Sequence, residues 1–281
     1  MTVQLFIAPA AAGKTAYLLN LVREASRGLA TIPRVVVPSQ LQARSWRQSL
    51  AEGEGAIGVR VMTFDRLYAE CLNAAGEVYT ELSDPVQYRL LRAVIDQLPL
   101  AHYAPLAGRP GFIQLLKEMI AELKAGMIFP EHLATAVTCA LPDPGGGPES
   151  RLGELAQIYT VYQERLQARN WADRAGLGWL AAEALSERSP EVAKDWPLLV
   201  VDGFDNLTPV QLQLLQILAG RAARTIITLT GAAGAGERAL AHRRFDRTRR
   251  RLQKALEVPA EPLPVLASHH VPLLAHLEAN L

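Results

Sequence analysis

Cysteine is almost missing from this chain. Cys71 and Cys139 stand alone among 281 residues, too few for a disulfide framework or a cysteine metal cluster, so a reducing, cytoplasmic home is expected. Long apolar runs are missing too: no uninterrupted stretch approaches the length of a membrane span, and no membrane partner is expected. No cleavable leader is expected at the start, because Lys14 and Arg23 follow the first apolar run instead of preceding it. Neither charge is in excess. Lys plus Arg number 29 against 28 for Asp plus Glu, a net charge of +1, so any contact with nucleic acid must come from local patches. The six histidines form no ligand set; His269 and His270 are adjacent, and adjacent side chains do not converge on one metal as i, i+4 pairs do. What is present, 49% hydrophobic and 20% charged residues, is the composition of a soluble globular protein with one large domain or two modest ones.

Strands and helices alternate at both ends of the chain. "VQLFIA" and "RVVVPS" read as buried strands, each followed by a helical pattern, "AYLLNLVREA" and "LQARSWRQSLA"; "GVRVMTFDRLYAECLNAAG" begins as a strand and turns helical near Phe64. From about Pro85 to Leu185 the pattern is helical almost throughout, broken only by the low-complexity "LPDPGGGPES". Then "WPLLVVDGFDNLTPVQLQLLQILA" returns to strand and helix, and "RTIITLTG" is one more strand. This order predicts an α/β fold, a parallel sheet with right-handed crossovers flanked by helices. An all-helical insertion is expected between the third and fourth sheet strands, the fourth running from Leu198 to Val201. The expected domains are 1–80 with 190–281 for the sheet and 81–189 for the insertion.

The turn after the first strand, "APAAAGKT", carries Gly13, Lys14 and Thr15 where a phosphate-binding loop of the form G-x-x-x-x-G-K-[ST] ends. In such a loop backbone N–H groups wrap the phosphates, the lysine reaches the β/γ oxygens and the hydroxyl meets Mg²⁺. Ala8 stands at the first-glycine position, a departure because glycine there takes φ > 0 at no steric cost. Ala8, Ala12, Gly13, Lys14 and Thr15 are the expected nucleotide-binding residues, with ATP and Mg²⁺ as cofactors. The competing interpretation is an ordinary strand-to-helix turn.

"PLLVVDGFDNLTPVQ" supplies a partner. An apolar strand ending in Asp202 looks like a Walker B element, and its carboxylate would face the loop of the first strand, where open α/β sheets bind ligands. Asp202 would then hold Mg²⁺ opposite Thr15. Many α/β proteins close a strand with a carboxylate and bind no metal.

The run "VVDGFDNLTPVQLQLLQIL" resembles the Walker B region of UvrD/PcrA-type superfamily 1 helicases. It is still more similar to the degenerate form in the B subunit of bacterial AddAB-type helicase-nucleases. Other segments fall in that family's order: "RVVVPSQLQARSWRQSL", "VMTFDRLYAECL", "FIQLLKEMIAELKAGMIFPEHL", "ARNWADRAGLGWLAAEAL" and the terminal "HLEANL". The resemblance covers essentially the whole chain. It implies a RecA-like P-loop fold with a helical insertion, a role in DNA-end processing for recombinational repair, and two partners: a DNA end and a catalytically active AddA-like subunit.

Departures from the active helicases bear on chemistry. Those enzymes place a general-base Glu directly after the Mg²⁺ Asp, and this chain has Gly203 there, so no catalytic residue is assigned. Asp205 could substitute, but capping the helix that begins near Thr208-Pro209 is the expected role. "TIITLTGAAGAGERAL" offers Gly231 without the Asp and γ-phosphate-sensing Gln that belong there, and Gln4 lies within the first strand, not before it. About fifty residues follow "RTIITLTG", too few for a second RecA-like domain with its arginine finger, and the family's nuclease centre with its cysteine cluster has no counterpart. A stand-alone relative or a fragment of a longer protein is expected, binding ATP without hydrolysing it efficiently. Two other readings stay open: an independently active P-loop ATPase or kinase, and an interaction scaffold with a relic loop.

For DNA, the candidates are Ser39, Gln40, Thr63 and Phe64 at strand ends, and Arg243, Arg247 and Arg250 at helical spacing in "ERALAHRRFDRTRRRLQKAL". Turn and core chemistry competes for the first four. A solvated helix paired with neighbouring carboxylates competes for the arginines.

Overall fold

The computed structural model describes residues 1–10, 12–28, 31–52, 55–139, 150–187, 191–231 and 239–264, with the backbone alone for 239–244. The chain divides into two compact units, 1–75 with 184–281, and 76–183.

In the first unit β1 (Thr2–Ala8), β2 (Arg34–Val36), β3 (Arg60–Met62), β6 (Leu199–Val201), β7 (Arg224–Thr230) and β8 (Ala260–Pro262) form one sheet. Its order is β3-β2-β6-β7-β1-β8 and every pairing is parallel. Leu5, Ile7, Val35, Val200, Ile226 and Ile227 are buried along it, the unbroken apolar pattern of strands covered on both faces. Helices α1 (Lys14–Ser26), α2 (Gln40–Ala51), α3 (Phe64–Ala74), α9 (Pro209–Ala219) and α10 (Ala239–Leu256) belong to this unit. Leu18 and Val22 of α1 and Ala43, Trp46 and Leu50 of α2 pack in one cluster with Val35, Val200 and Ile226 of the sheet. Local chemistry sets the helix starts: Ser39 Oγ accepts from the Gln42 N–H at 3.2 Å. Thr208 and Gln211 form a reciprocal capping box.

Two sheet features differ from the sequence expectation. The fourth strand is Leu199–Val201, one residue shorter at its start. A sixth strand, β8, pairs with β1 at the sheet edge, and there Pro262 is tolerated because an edge residue has no obligatory donor.

The second unit contains α4 (Asp84–Ile95), α5 (Pro110–Ala125), α6 (Pro130–Cys139) and α7 (Arg151–Gln167), and most of α8 (Arg174–Glu187). Leu91, Ile113, Leu116, Ile120, Ile158, Tyr159 and Tyr162 build its core. It is not all-helical. β4 (Thr80–Glu81) and β5 (Trp171–Ala172) pair in parallel, flanked by Thr80 N–H to Asn170 O at 3.0 Å and Leu82 N–H to Ala172 O at 2.8 Å. Two residues per strand are too few for a period of two to show in sequence. Among the described residues no helix is long and apolar enough to cross a membrane.

Candidate functional site

The loop after β1 and the end of β6 meet at the carboxyl edge of the sheet, the edge where open α/β sheets receive ligands. Strand β7 lies between them and contributes as well. Thr15 Oγ1, in the first turn of α1, donates to Asp202 Oδ2 at 2.9 Å. Thr228 Oγ1 of β7 donates to Asp202 Oδ1 at 2.6 Å. The Asp202 N–H donates to Val36 O at 3.1 Å, which continues the ladder between β2 and β6. Asp202 is 4% exposed, and among the described residues it makes no ion pair. A buried carboxylate held by two hydroxyls has its lone pairs oriented and its charge unmatched.

The loop turns tightly from β1 into α1. Gly13, the residue before α1, has φ 85° and ψ 15°, the left-handed region that glycine enters freely, and its turn exposes the first N–H groups of the helix. Ala8 ends β1 and is not among the positive-φ residues, so alanine carries no backbone strain there. Its carbonyl accepts from the Gly231 N–H at 3.0 Å. Lys14 Nζ folds back onto the Ala8 and Pro9 carbonyls at 3.1 and 2.7 Å. Ala12 N–H reaches Pro9 O at 3.4 Å; Ala11 lies outside the described residues.

Next to Asp202 the chain turns sharply. Gly203 has φ 82°, and a Cβ there would stand 3.2 Å from Gln42 Nε2 and 3.5 Å from Pro38 Cδ. A carboxylate side chain at 203 therefore meets backbone strain and a crowded neighbour together. Beside it a cavity of about 160 Å³ is lined by Thr15, Val37, Gln42, Ser45, Trp46, Asp202 and Gly203. A larger one, about 590 Å³, lies elsewhere, at the amino ends of β2 and β3. There Arg34 and Arg60 both pair with Glu70 at 3.0 Å.

Residues 5–267 match the family described as "ADDB, N-terminal". The chain belongs to that family. It is similar to the B subunit of the ATP-dependent helicase/deoxyribonuclease of Moorella thermoacetica, 30% identical over all of this chain and 26% of that protein. The B subunits of the same name from Acetivibrio thermocellus and Desulforamulus reducens are each 26% identical, over 100% and 82% of this chain and 26% and 20% of theirs. The chain thus spans about a quarter of the length of these relatives.

The structure brings Ala8, Ala12, Gly13, Lys14, Thr15 and Asp202 to one sheet edge. Asp205 does not cap α9; Thr208 does, because its hydroxyl reaches the Gln211 N–H directly. The Asp205 carbonyl instead accepts from Thr248 Oγ1 at 3.0 Å. Gln4 accepts from Arg224 at 2.7 Å near the amino end of β1, away from the loop. Phe64, expected to touch DNA, is 4% exposed and packs on Phe204 and Tyr68 with ring centroids 5.2 and 5.8 Å apart, so its ring belongs to the core. Thr63 is buried and its hydroxyl has no partner. Ser39 serves as the α2 cap and Gln40 is exposed in the first turn of that helix. Arg247 and Arg250 are exposed on α10; Arg243 lies in the same helix, its side chain outside the described atoms, and His269, His270 and "HLEANL" fall outside altogether. Thr228 was not anticipated. Its signal was a hydroxyl in an otherwise apolar stretch, "IITL", level with the end of the Asp202 strand.

Proposed function

We propose that this chain is the RecA-like, helicase-derived N-terminal module of an AddB-type subunit, with residues 76–183 as its inserted helical subdomain. Its task is the processing of DNA double-strand ends for recombinational repair in the cytoplasm, beside a catalytically active AddA-like subunit. Its loop holds a nucleotide with Mg²⁺ and does not hydrolyse it efficiently. One observation carries the reading: the 2.9 Å hydrogen bond from Thr15 to Asp202, with a left-handed glycine directly behind the aspartate. The first half presents a hydroxyl and a carboxylate to a divalent cation. The second half removes the place from which a general base would activate water.

The residues suit the group they would hold. Lys14 would leave the Ala8 and Pro9 carbonyls for the phosphate oxygens, the α1 amino end would donate N–H groups, and Thr15 with Asp202 would take the cation. When bound, the nucleotide and Mg²⁺ supply a charged phosphate chain that orders the loop.

Thermal unfolding with ATP or ADP, with and without Mg²⁺, tests this. Wild type gains stability with ligand, about 2.7 kcal/mol when the ligand is a hundred times its Kd, and Lys14→Ala loses that gain. Equal stabilisation of both proteins would put the site elsewhere. DNA-stimulated phosphate release that disappears in Lys14→Ala would instead favour an active ATPase.

A further inference from the structure

We propose that the solvent face of α10 is a binding surface for the phosphate backbone of duplex DNA, an inference that rests on the DNA-processing reading and gives it a location. Arg247, Arg250 and Lys254 are exposed, and none forms a hydrogen bond or ion pair with a described residue. At 3.6 residues per turn they fall within roughly 60° of arc, and at 1.5 Å per residue they extend about 10 Å along the helix. One strand of B-DNA rises about 3.4 Å per nucleotide, so the stripe matches about three phosphates. Arg251, at the margin of the stripe, also has no partner among the described residues. The acid available on this part of the helix is already used: Asp246 pairs with Arg249 at 2.9 Å, off the stripe.

The opposite face shows that the stripe is held in place. Phe245, Thr248 and Leu252 are buried, and Thr248 Oγ1 donates to the Asp205 carbonyl at 3.0 Å. The helix is therefore anchored on the segment that follows Asp202 and Gly203.

Burial of Phe245 also decides between duplex and single strand. Single-strand surfaces combine a basic groove with aromatic rings on which bases stack. Here the one phenyl ring of the helix, Phe245, is 4% exposed and faces inward, so the stripe of Arg247, Arg250 and Lys254 offers charge without a stacking platform. That is backbone contact, independent of sequence.

The experiment measures anisotropy of a short labelled blunt duplex, and of the single strand alone, with the 281-residue chain across a salt series. Two variants are compared with wild type: Arg247→Gln/Arg250→Gln/Lys254→Gln and the charge-conserving Arg247→Lys/Arg250→Lys. The slope of log K against log salt should be shallower in the triple variant by roughly 2.7, about 0.9 for each lost contact, while the lysine variant keeps the wild-type slope. Unchanged melting temperatures show that the fold is intact. A triple variant with the wild-type slope and affinity overturns this surface and leaves the DNA reading standing. Loss of binding confined to single-stranded DNA overturns the duplex assignment. A wild type that binds no duplex even at low salt overturns both.

Discussion

Asp173 and Asp202 are both buried carboxylates just ahead of or behind a regular element, and they are satisfied in different ways. Asp173 Oδ2 accepts from Lys124 Nζ and Tyr162 Oη at 2.8 Å each, and Oδ1 from the Gly176 N–H at 2.7 Å. Asp202 has two threonine hydroxyls. Burial lowers Lys124 from the ordinary lysine value while Asp173 holds the proton on, and burial with the Asp173 charge keeps Tyr162 neutral, as a donor. The Asp173 cluster is electrically closed, built with its own cation inside. The Asp202 cluster is open: it holds no cation among the described residues, and it is here that the proposed Mg²⁺ would sit. A buried acid with a resident lysine is neutralised from within; one with hydroxyls alone, at the carboxyl edge of a parallel sheet, is where the proposed site is tested.

The largest effect expected from this contrast is on Lys124, which is 1% exposed. Lys124→Met strands the Asp173 charge in the interior, and removing one partner of a buried pair costs about 3–5 kcal/mol. Denaturant unfolding should show a midpoint far below wild type. A near-neutral result would mean that Asp173 draws its stability from Tyr162 and the Gly176 N–H, and the contrast between closed and open clusters would collapse.

Next comes Glu154, the other buried acid among the described residues of the second unit. Its Oε1 accepts from the Ala101 and His102 N–H groups at 2.6 Å each and its Oε2 from the Tyr103 N–H at 2.9 Å. Burial alone would raise its pKa, but these three donors outweigh burial and hold it below the ordinary glutamate value. The sign follows from the depressed folded value. The carboxylate's contribution is complete above the unfolded glutamate pKa and is lost as pH falls through the lower, folded one. Glu154→Gln turns an amide donor toward backbone donors and should cost about 2 kcal/mol at neutral pH. The gap between variant and wild type should close in acid. A gap that stays constant with pH would show that shape, not charge, matters at this position.

Much of the open cluster was legible in the sequence and little of the closed one was. Gly13-Lys14-Thr15 and Asp202 each sit at the junction of a strand and the segment after it, and hydrophobic periodicity locates those junctions well. The Lys124–Asp173 pair joins residues 49 apart on helical segments that look alike, and no local pattern says which charge points inward. Phe64 shows the same limit. Beside Thr63 at a strand end it reads equally as a surface contact or as core, and its packing on Phe204, 140 residues later, decides. The paired strands of Thr80–Glu81 and Trp171–Ala172 escaped because their stability comes from the pairing itself.

A smaller effect is expected at the glycine beside the open cluster. Gly203→Glu replaces the missing general base in name only, since φ 82° disfavours any side chain and Gln42 Nε2 would stand 3.2 Å from its Cβ. The cost should be about 1–2 kcal/mol, the usual toll for a non-glycine residue in a sparsely populated conformation. Phosphate release should not appear, because the carboxylate is carried by a backbone turned out of the strand direction. Turnover in Gly203→Glu that disappears with Lys14→Ala would show that a base was the one missing part.

The smallest effect on stability should come from Asp202→Asn without nucleotide or metal, under about 1 kcal/mol. An asparagine oxygen can still accept from one threonine, and its NH₂ can donate to the other once that hydroxyl rotates from donor to acceptor, which a hydroxyl does readily. The variant also removes a buried charge that has no cation beside it, which offsets part of any lost hydrogen-bond strength. Its effect belongs to the ligand. Wild type should gain extra thermal stability from Mg²⁺ with ADP over ADP alone, and Asp202→Asn should lose that increment, because the amide offers a cation one neutral oxygen in place of a carboxylate. If Asp202→Asn instead unfolds the protein as readily as Lys124→Met, the aspartate is structural and the two clusters are alike. If it unfolds normally and keeps the Mg²⁺ increment, the cation is held elsewhere, and the Thr15–Asp202 hydrogen bond is only a link between α1 and β6.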